Sequence, residues 1–489
     1  MAYTCAYGIF QAQAAAKIAI TVFILETKKR ILVTIVGQGS ITHIVRTGIL
    51  QNMQAFCTPV VGILWHDVSL RKELTGQGIE NHVLPAFTTS EAYYALRYKI
   101  NNWYLSKILQ SPSTKIQLQY LAQYATKRKN VKKKIKDTII AFKHHMPNYT
   151  SKLLKKEKIR LQQEKVYADY KEWFDKLNID GLYTITPFMQ EVELLAIFCK
   201  QKSLPIIAAV HSFDNITKRG WTSVTFDHYI VWNKYNKAEL QRIHPTLTEN
   251  NITISGAPQF DFHFHTSGML SKEAWLQKMN LPQGKKIILY GGGPATLFPN
   301  EPQYLQHLLE AFNKKRIEDN AVILFRSHPL DKMERWKKVT GESEYIVYDK
   351  APNGTIKLDY TNVTTDDVEQ LITTLMYTDV HINLCSTMAI DGSVFKKPQI
   401  APAYDEVNTS KQHLLKRMYY QEHYVPIMQS NNVHLAASKR ELIGLINKAL
   451  QNPAVLTQHA AACVQEIITY TDGNSATRVT KVLEKMFAA

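Results

Sequence analysis

Short apolar runs alternate with longer amphipathic stretches along most of the chain. RILVTIV, PIIAAV, KKIILY and AVILF are rich in Val, Ile and Leu, a composition typical of strands that are buried on both faces. Strands that alternate with helices predict a parallel sheet covered by helices on both sides. Because the series occurs twice, the pattern predicts an α/β chain with two doubly wound domains.

Breaks in this pattern predict the domain organisation. We expect an N-terminal extension at residues 1–30, a first domain at 31–255, a linker at 256–284, a second domain at 285–460 and a C-terminal helix at 461–489. Residues 85–170 are polar, helical in pattern and without a strand, so they are expected to form an insertion in the first domain. The linker is predicted from its Pro, Gly and polar residues.

Composition narrows the class of protein. The chain has 489 residues, 45% of them hydrophobic, which is enough for packed cores. Its five cysteines are scattered and form no CxxC pair, as expected for reduced thiols, and they offer no zinc site. No apolar run is long enough for a spanning helix. We therefore expect a cytoplasmic protein, with peripheral attachment to the inner face of the membrane as an alternative.

Positive charge is concentrated in one segment. The whole chain has a net charge of +17. Thirteen of its Lys and Arg residues lie between Lys127 and Arg160, against Asp137 and Glu157, a local excess of 13 − 2 = +11. Such a cluster favours an anionic partner.

The same segment carries apolar residues at helical spacing, namely Val131, Ile135, Ile139 and Phe142. This spacing predicts a basic amphipathic helix. One hypothesis is that the helix binds an anionic membrane surface. The alternative is that its apolar stripe packs on the first domain. Nucleic acid is disfavoured as a partner, because no aromatic residues interleave with the lysines and no nucleic-acid-binding module surrounds them.

Two glycine-containing turns follow predicted strands. Gly37, Gly39 and Ser40 lead from the first strand into a helix, and Gly292 and Gly293 follow KKIILY. Glycine lets the backbone approach a ligand closely, and the N–H groups at a helix start favour an anion. Both turns are therefore candidate phosphate or acceptor loops, and a simple tight turn is the alternative for each.

Two later turns carry polar side chains. Arg326, His328 and Pro329 end the strand AVILF, at the strand terminus where open α/β sheets bind ligands. Arg326 can pair with a phosphate and His328 can donate to one. Ser386 and Thr387 follow another strand and begin a helix that contains Asp391. These hydroxyls either bind a diphosphate or cap the helix.

Several catalytic motifs are absent from the sequence. No DxD, HExxH, GxSxG or GxxxxGK[ST] occurs in the chain. Metal-held nucleotides, zinc proteases, esterases and P-loop enzymes therefore lose support. We expect no metal site and no cofactor.

The order of the later motifs resembles a known family. RSHP, TDVHINLCSTMAID, KKPQI and AYD, between Asn320 and Asp405, are similar to the second domain of GT-B transferases of surface-polymer synthesis. The closest pattern is that of CDP-glycerol glycerophosphotransferases and capsule enzymes. In the first half, PIIAAVHSFDNITKRG resembles the family's strand that ends in W-H-G-T, although Val210 replaces the Trp and Ser212 the Gly. The resemblance covers about residues 180–405.

This resemblance implies two Rossmann-like domains of the GT-B type, with the basic helical insertion in the first. It implies that His328, Ser386 and Thr387 contact the diphosphate of a nucleotide-activated donor, with Arg326 nearby and Asp391 holding the helix or a donor hydroxyl. His211 matches the base that activates the acceptor hydroxyl. Asp214 is the competing base, because burial can raise the pKa of a carboxyl group.

We therefore predict a metal-independent GT-B glycosyltransferase. Its donor would be a UDP, CDP or CMP sugar, and its acceptor a cell-surface polysaccharide, glycan or polyol. A sugar is favoured over glycerol phosphate because the chain lacks a complete W-H-G-T. The alternatives are a CDP-glycerol-type glycerophosphotransferase of teichoic-acid-like polymers, an enzyme similar to UDP-sugar 2-epimerases, and a non-catalytic nucleotide-sugar-binding protein.

Overall fold

We describe the fold from a computed structural model. It describes residues 28–123, 127–317, 320–328, 331, 333–341, 343–349, 362–405 and 413–488, without the side chains of 127–134. The predicted N-terminal extension lies almost entirely outside these residues.

The described residues form two parallel sheets. The first has the order β3-β2-β1-β4-β5-β6-β7 and the second the order β10-β9-β8-β11-β12-β13. The strands of the first sheet are β1 Arg30–Ile35, β2 Thr58–Ile63, β3 Glu80–Val83, β4 Gly181–Thr184, β5 Ile206–Ala209, β6 His228–Val231 and β7 Ile252–Ile254. Those of the second are β8 Lys286–Gly291, β9 Ala321–Arg326, β10 Ile346–Tyr348, β11 Val380–Asn383, β12 Gln399–Pro402 and β13 Val433–Ala436.

Helices connect these strands. Those before the second sheet are α1 Gln38–Ser40, α2 Ile49–Met53, α3 Val68–Gly76, α4 Glu91–Trp103, α5 Pro112–Ala122, α6 Lys127–Lys143, α7 Tyr149–Gln163, α8 Lys165–Lys176, α9 Gln190–Gln201, α10 Asn215–Lys218, α11 Lys234–Ile243, α12 Asp261–Phe264 and α13 Lys272–Lys278. The later ones are α14 Pro302–Asn313, α15 Glu334–Thr340, α16 Thr365–Tyr377, α17 Met388–Val394, α18 Leu414–Met418, α19 Val425–Gln429, α20 Lys439–Gln451, α21 Ala460–Ile468 and α22 Ser475–Phe487. Two π-helical segments, Ile41–Arg46 and Tyr104–Leu109, follow α1 and α4.

Each sheet is buried on both faces, which explains its continuous apolar runs. Along β1, Leu32 packs into one hydrophobic core, whereas Ile31 and Val33 pack into another. In β8, Ile288 and Leu289 divide between two cores in the same way. This burial pattern, with every strand pair parallel, confirms the predicted doubly wound α/β class.

The C-terminal helix packs on the first sheet rather than on the second. Val479, Leu483 and Phe487 of α22 belong to the same core as Ile31 and Val33. The carboxylate of Asp261 accepts hydrogen bonds from the backbone N–H groups at the start of this helix, at 3.0 and 2.8 Å. The chain therefore crosses back to the first domain after the second sheet is complete.

The helical insertion lies between β3 and β4 and contains α4 to α8. Its helix α5 reaches the second domain, because Ile116 and Tyr120 belong to that domain's core. At the same contact, the hydroxyl oxygen of Ser113 accepts a hydrogen bond from the backbone N–H of Glu422, at 2.9 Å. The insertion therefore bridges the two domains.

A buried ion cluster attaches the insertion to the first domain. Arg97 of α4 contacts Glu193 of α9 at 2.8 Å and Glu157 of α7 at 3.3 Å, and all three side chains are at most 5% exposed. Arg97→Met leaves two buried carboxylates without their cation. We expect the free energy of unfolding to fall by about 3–5 kcal/mol, measured by urea denaturation. A loss below about 1 kcal/mol would show that this cluster contributes little to docking.

No helix in the described part of the chain is long and apolar enough to cross a membrane.

Candidate active site

The carboxyl ends of the two sheets face each other across a cavity of about 640 Å³. In the first sheet the strand order reverses between β1 and β4, and in the second between β8 and β11. Ligands of open α/β sheets bind at such reversals, outside the carboxyl ends of the strands. Residues that follow β1, β5, β9 and β11 all line this cavity, so it is the candidate active site.

His211 lines the cavity from the first domain, just beyond β5. Its backbone N–H donates to the Ile185 carbonyl at 3.2 Å, and its own carbonyl accepts from the Gln259 side chain at 3.2 Å. Its buried Nδ1 atom has no hydrogen-bond partner among the described residues. Burial lowers the pKa of His211 to about 4. A neutral imidazole is able to accept a proton.

Gly39 allows this imidazole its position. A Cβ atom at Gly39 would lie 2.4 Å from Nε2 of His211, closer than any non-bonded contact allows. Behind His211 lies His43, which is buried and 6.0 Å away between ring centroids. Burial, reinforced by His211, lowers the pKa of His43 to about 3. Both rings are therefore held neutral, which avoids repulsion between two imidazolium ions.

Asp214 lies close to His211 in sequence but does not line the cavity. Its carboxylate pairs with Lys218 at 3.2 Å. Burial by itself would raise the pKa of Asp214, but Lys218, His423 and the Ser212 hydroxyl outweigh burial and hold this pKa well below its usual range. The expectation of a raised pKa is wrong for Asp214, and a carboxylate with so low a pKa has little affinity for a proton.

Arg326, the last residue of β9, and His328, two residues later, line the cavity from the second domain. The Arg326 guanidinium pairs with Asp349, whose other oxygen accepts from the Gln370 amide at 2.7 Å. Asp349 therefore fixes the direction of Arg326. Pro329, the next residue of the predicted motif, lies outside the described residues.

Thr387 and Asp391 also line the cavity, whereas Ser386 does not. The Ser386 hydroxyl oxygen accepts from the backbone N–H of Met388 at 3.2 Å, the capping role that was the alternative for this residue. Asp391 lies 2.9 Å from Nε2 of His263, which belongs to α12 in the predicted linker. Asp391 thus joins the second domain's helix α17 to the segment between the sheets.

The glycine turn after β8 uses its N–H groups within the chain. Gly292 donates to the carbonyl of Arg326 at 2.9 Å, and Gly293 donates to the carboxylate of Glu301 at 2.8 Å. Neither glycine lines the cavity. This arrangement contradicts direct phosphate binding by these two N–H groups, because both are already satisfied. Their lack of side chains serves packing, since a Cβ at Gly292 would lie 2.9 Å from Trp336.

Of the predicted residues in the turn after β1, only one contacts the cavity. Gly39 lines the cavity, but Gly37 and Ser40 do not. The Ser40 side chain is 2% exposed, and its hydroxyl oxygen accepts from the backbone N–H of Val36 at 3.3 Å. The predicted acceptor or phosphate loop is therefore reduced to Gly39, because Ser40 points into the protein.

Several lining residues have no sequence motif of their own. Lys337 of α15 adds a second cation beside Arg326, and Gln259 comes from the segment between the two sheets. A lone Lys on an amphipathic helix gives no signal that separates a ligand contact from a solvated surface. Only the packing of α15 beside β9 brings Lys337 to the cavity.

Two doubly wound sheets that face each other across such a cavity form the GT-B fold, which is typical of nucleotide-dependent transferases. The family model for CDP-glycerol:poly(glycerophosphate) glycerophosphotransferases matches residues 207–485, more than half of the chain. The chain therefore belongs to this family of surface-polymer transferases, which confirms the resemblance seen in its motifs. A comparison with curated proteins finds no match.

Solved structures support the same fold at low sequence identity. The co-structure of S. aureus MnaA with UDP has a TM-score of 0.52 and 12% identity, and the match covers 94% of this chain and 96% of that one. UDP-GlcNAc 2-epimerase from Neisseria meningitidis, bound to UDP-GlcNAc, has a TM-score of 0.55 and 9% identity, and the match covers 93% of this chain and 100% of that one. The wall teichoic acid polymerase TagF with CDPG has a TM-score of 0.50 and 12% identity, and the match covers 94% of this chain and 90% of that one.

Proposed function

We propose that this transferase moves a polyol phosphate from a CDP-activated donor to a hydroxyl group of a cell-surface polymer, without a metal ion. The family match supports a CDP-activated donor. The position of His211 in the cavity supports proton removal from the acceptor hydroxyl. Transfer of a sugar from a UDP donor is the second candidate. It is favoured by the incomplete W-H-G-T motif and by the UDP-bound structural neighbours.

In this proposal each domain has a separate task. The acceptor hydroxyl lies next to His211, which takes its proton as the hydroxyl attacks the donor. The donor diphosphate lies next to Arg326, His328 and Thr387, and Lys337 adds a further positive charge. These groups stabilise the charge that develops on the leaving nucleotide. For a CDP-polyol the attacked atom is the distal phosphorus, and CMP leaves.

The proposal assigns to cationic side chains the charge neutralisation that a metal ion provides in other transferases. The sequence contains no DxD motif. Arg326 and Lys337 lie on the donor side of the cavity, where a fixed positive charge pairs with phosphate oxygens. Asp349 holds Arg326 in place for that role.

Nucleotide binding tests the donor class. We expect CDP to raise the melting temperature of the purified protein more than UDP, CMP, GDP or ADP, equally with magnesium and with EDTA. At a hundredfold excess over Kd, specific binding stabilises the folded state by about 2.7 kcal/mol, which a thermal shift detects easily.

Two variants make this measurement specific. Arg326→Ala should remove most of the shift, whereas Arg316→Ala, an exposed arginine that does not line the cavity, should leave it unchanged. A larger shift with UDP would favour the sugar donor. Stabilisation that requires magnesium would contradict the metal-free proposal, and no shift with any nucleotide would remove the donor site.

We further propose that α6 binds an anionic membrane surface. Its apolar stripe faces outward: Ile135, Ile139 and Phe142 are 57%, 51% and 72% exposed, and Ile140 is the residue that packs inward. The exposure of these three side chains contradicts the alternative that the stripe packs on the first domain. The side chain of Val131, the fourth residue of the predicted stripe, lies outside the described residues. The sequence of α6 carries eight Lys or Arg and one Asp, a net charge of 8 − 1 = +7. An exposed apolar stripe flanked by lysines favours insertion at a lipid surface.

Vesicle sedimentation tests this surface. The protein should bind vesicles that contain phosphatidylserine and should be released by high salt, because the charge attraction is screened. Ile139→Ser with Phe142→Ser should weaken binding at least about tenfold, since each apolar side chain contributes about 1.5–3 kcal/mol when buried. Val68→Ser, at an equally exposed site on α3, is the control. Equal loss in both variants, or no binding by the unmodified protein, would contradict the proposal.

A further inference from the structure

A second cavity, of about 730 Å³, lies where α7 of the insertion meets α9 and the loop 221–225. It shares no lining residue with the cavity between the two sheets. Its volume is in the range of small-molecule sites. The proposed transfer reaction gives this cavity no task.

The walls of this second cavity are mainly apolar. They are formed by Leu154, Leu161, Ile197, Val224 and the rings of Tyr167 and Trp221. Apolar walls of this kind lower the free energy of a ligand that brings apolar surface out of water.

The rim of the cavity is cationic. Lys155 and Lys158 are exposed, lie on the same side of α7 and line the opening. Neither makes an ion pair within the described part of the chain, whereas Lys200, the third lining lysine, pairs with Asp227. Two ammonium groups three residues apart on a helix can both reach one anion.

The carboxylate of Glu157, which lines the inner side of the cavity, is hydrogen-bonded within the protein. Glu157 accepts hydrogen bonds from Tyr93 at 2.7 Å and from Arg97 at 3.3 Å. The Arg97 guanidinium also lies over the ring of Trp221, 4.7 Å from its centre. Oε1 of Glu157 is therefore engaged inside the protein, and Arg97 packs against Trp221 at the wall of the cavity.

We propose that this cavity binds an anionic amphiphile, a lipid phosphate with one apolar chain inside the cavity and its phosphate between Lys155 and Lys158. Apolar walls with a cationic rim match that combination of groups. The site is separate from the donor cavity, so the proposal goes beyond the transferase function.

Titration calorimetry tests this site with short-chain lipids, each used below its critical micelle concentration. The probes are octanoyl and decanoyl lysophosphatidic acid, with decanoylglycerol and glycerol 3-phosphate as the forms that lack the anion or the chain. Each buried methylene should raise the affinity about fourfold, so the decanoyl lipid should bind at least about tenfold more tightly than the octanoyl lipid. Glycerol 3-phosphate should not bind measurably. If it binds as tightly as the lipids, the site is a phosphate site and the proposal fails.

Matched variants locate the binding. Lys155→Glu with Lys158→Glu should weaken decanoyl lysophosphatidic acid binding at least about tenfold. Lys152→Glu with Lys156→Glu makes the same charge change on the same helix, outside the cavity, and should leave the affinity within about twofold. Ile139→Ser with Phe142→Ser, on α6, should also leave it unchanged. If either control variant lost as much affinity as Lys155→Glu with Lys158→Glu, the proposal would be overturned. The readout needs neither nucleotide nor turnover, so it is independent of the proposed transferase function.

Discussion

His211→Ala is expected to lower kcat by about 10²–10⁴-fold, the range for removal of a general base. His211 lines the cavity between the sheets and is held neutral by burial, so it is the available proton acceptor on the acceptor side. Donor binding should persist, because Arg326, His328 and Thr387 are untouched. The measurement is steady-state transfer from the activated donor of the nucleotide that gives the largest thermal shift, together with that nucleotide's shift for the variant.

Asp214→Asn is the comparison for His211→Ala, because Asp214 was the competing base. Its loss of activity should be much smaller, since Asp214 is paired with Lys218 and lies outside the cavity. If Asp214→Asn is the more damaging change, the assignment of the base to His211 is wrong.

The pH profile of the unmodified enzyme gives a second check on His211. Because burial lowers the pKa of His211 to about 4, the base form persists well below pH 6. The acidic limb of kcat/KM should therefore lie near pH 4, as far as the fold survives. The limb of kcat should lie at higher pH, because a bound anionic donor favours the protonated imidazole. An acidic limb of kcat/KM at pH 6.5 or above would contradict the buried environment.

Gly39→Ala is expected to lower kcat by about 10²-fold without unfolding the protein. The added methyl group would lie 2.4 Å from Nε2 of His211, so the imidazole must move away from its present position. A displacement of about 1 Å at a reacting group typically costs about this factor. The moving atoms are the end of a side chain, so the melting temperature should change little. Activity and thermal unfolding are measured on the same preparation.

Gly76→Ala is the matched control for Gly39→Ala. Gly76 ends α3, and a Cβ there meets nothing within 4 Å. Its activity should equal that of the unmodified enzyme. Full activity in Gly39→Ala would show that His211 either tolerates displacement or is not the base.

Apolar periodicity along the chain predicts much of the fold. Strands β1, β5, β8 and β9 lie within the predicted apolar runs RILVTIV, PIIAAV, KKIILY and AVILF, and the insertion is helical as expected. These segments are buried on both faces, so their composition alone separates them from helices. Strands β2, β3, β10 and β13 were missed. β3, β10 and β13 are short and only partly buried, so none of them carries a continuous apolar run. β2 contains Pro59 and Gly62, which are typical of turns.

The candidate site was predicted in part, and the reason differs between residues. His211, Arg326, His328 and Thr387 lie at or just beyond strand ends, and topology alone brings such residues together. Asp391 lies in helix α17, which follows β11. Ser386, Ser40 and Gly293 follow strand ends as well, but their polar groups bond within the chain. Sequence spacing cannot separate these two outcomes, because capping and ligand binding use the same atoms.

The amino-acid sequence alone establishes the α/β class, the two-domain pattern, the family and the position of the basic helix, because these depend on local composition and order. Long-range contacts set which side of the basic helix is buried and why Gly39 must lack a side chain. They also return α22 to the first sheet and bring α5 to the second domain. These properties depend on residues far apart in the chain, and no local pattern contains that information.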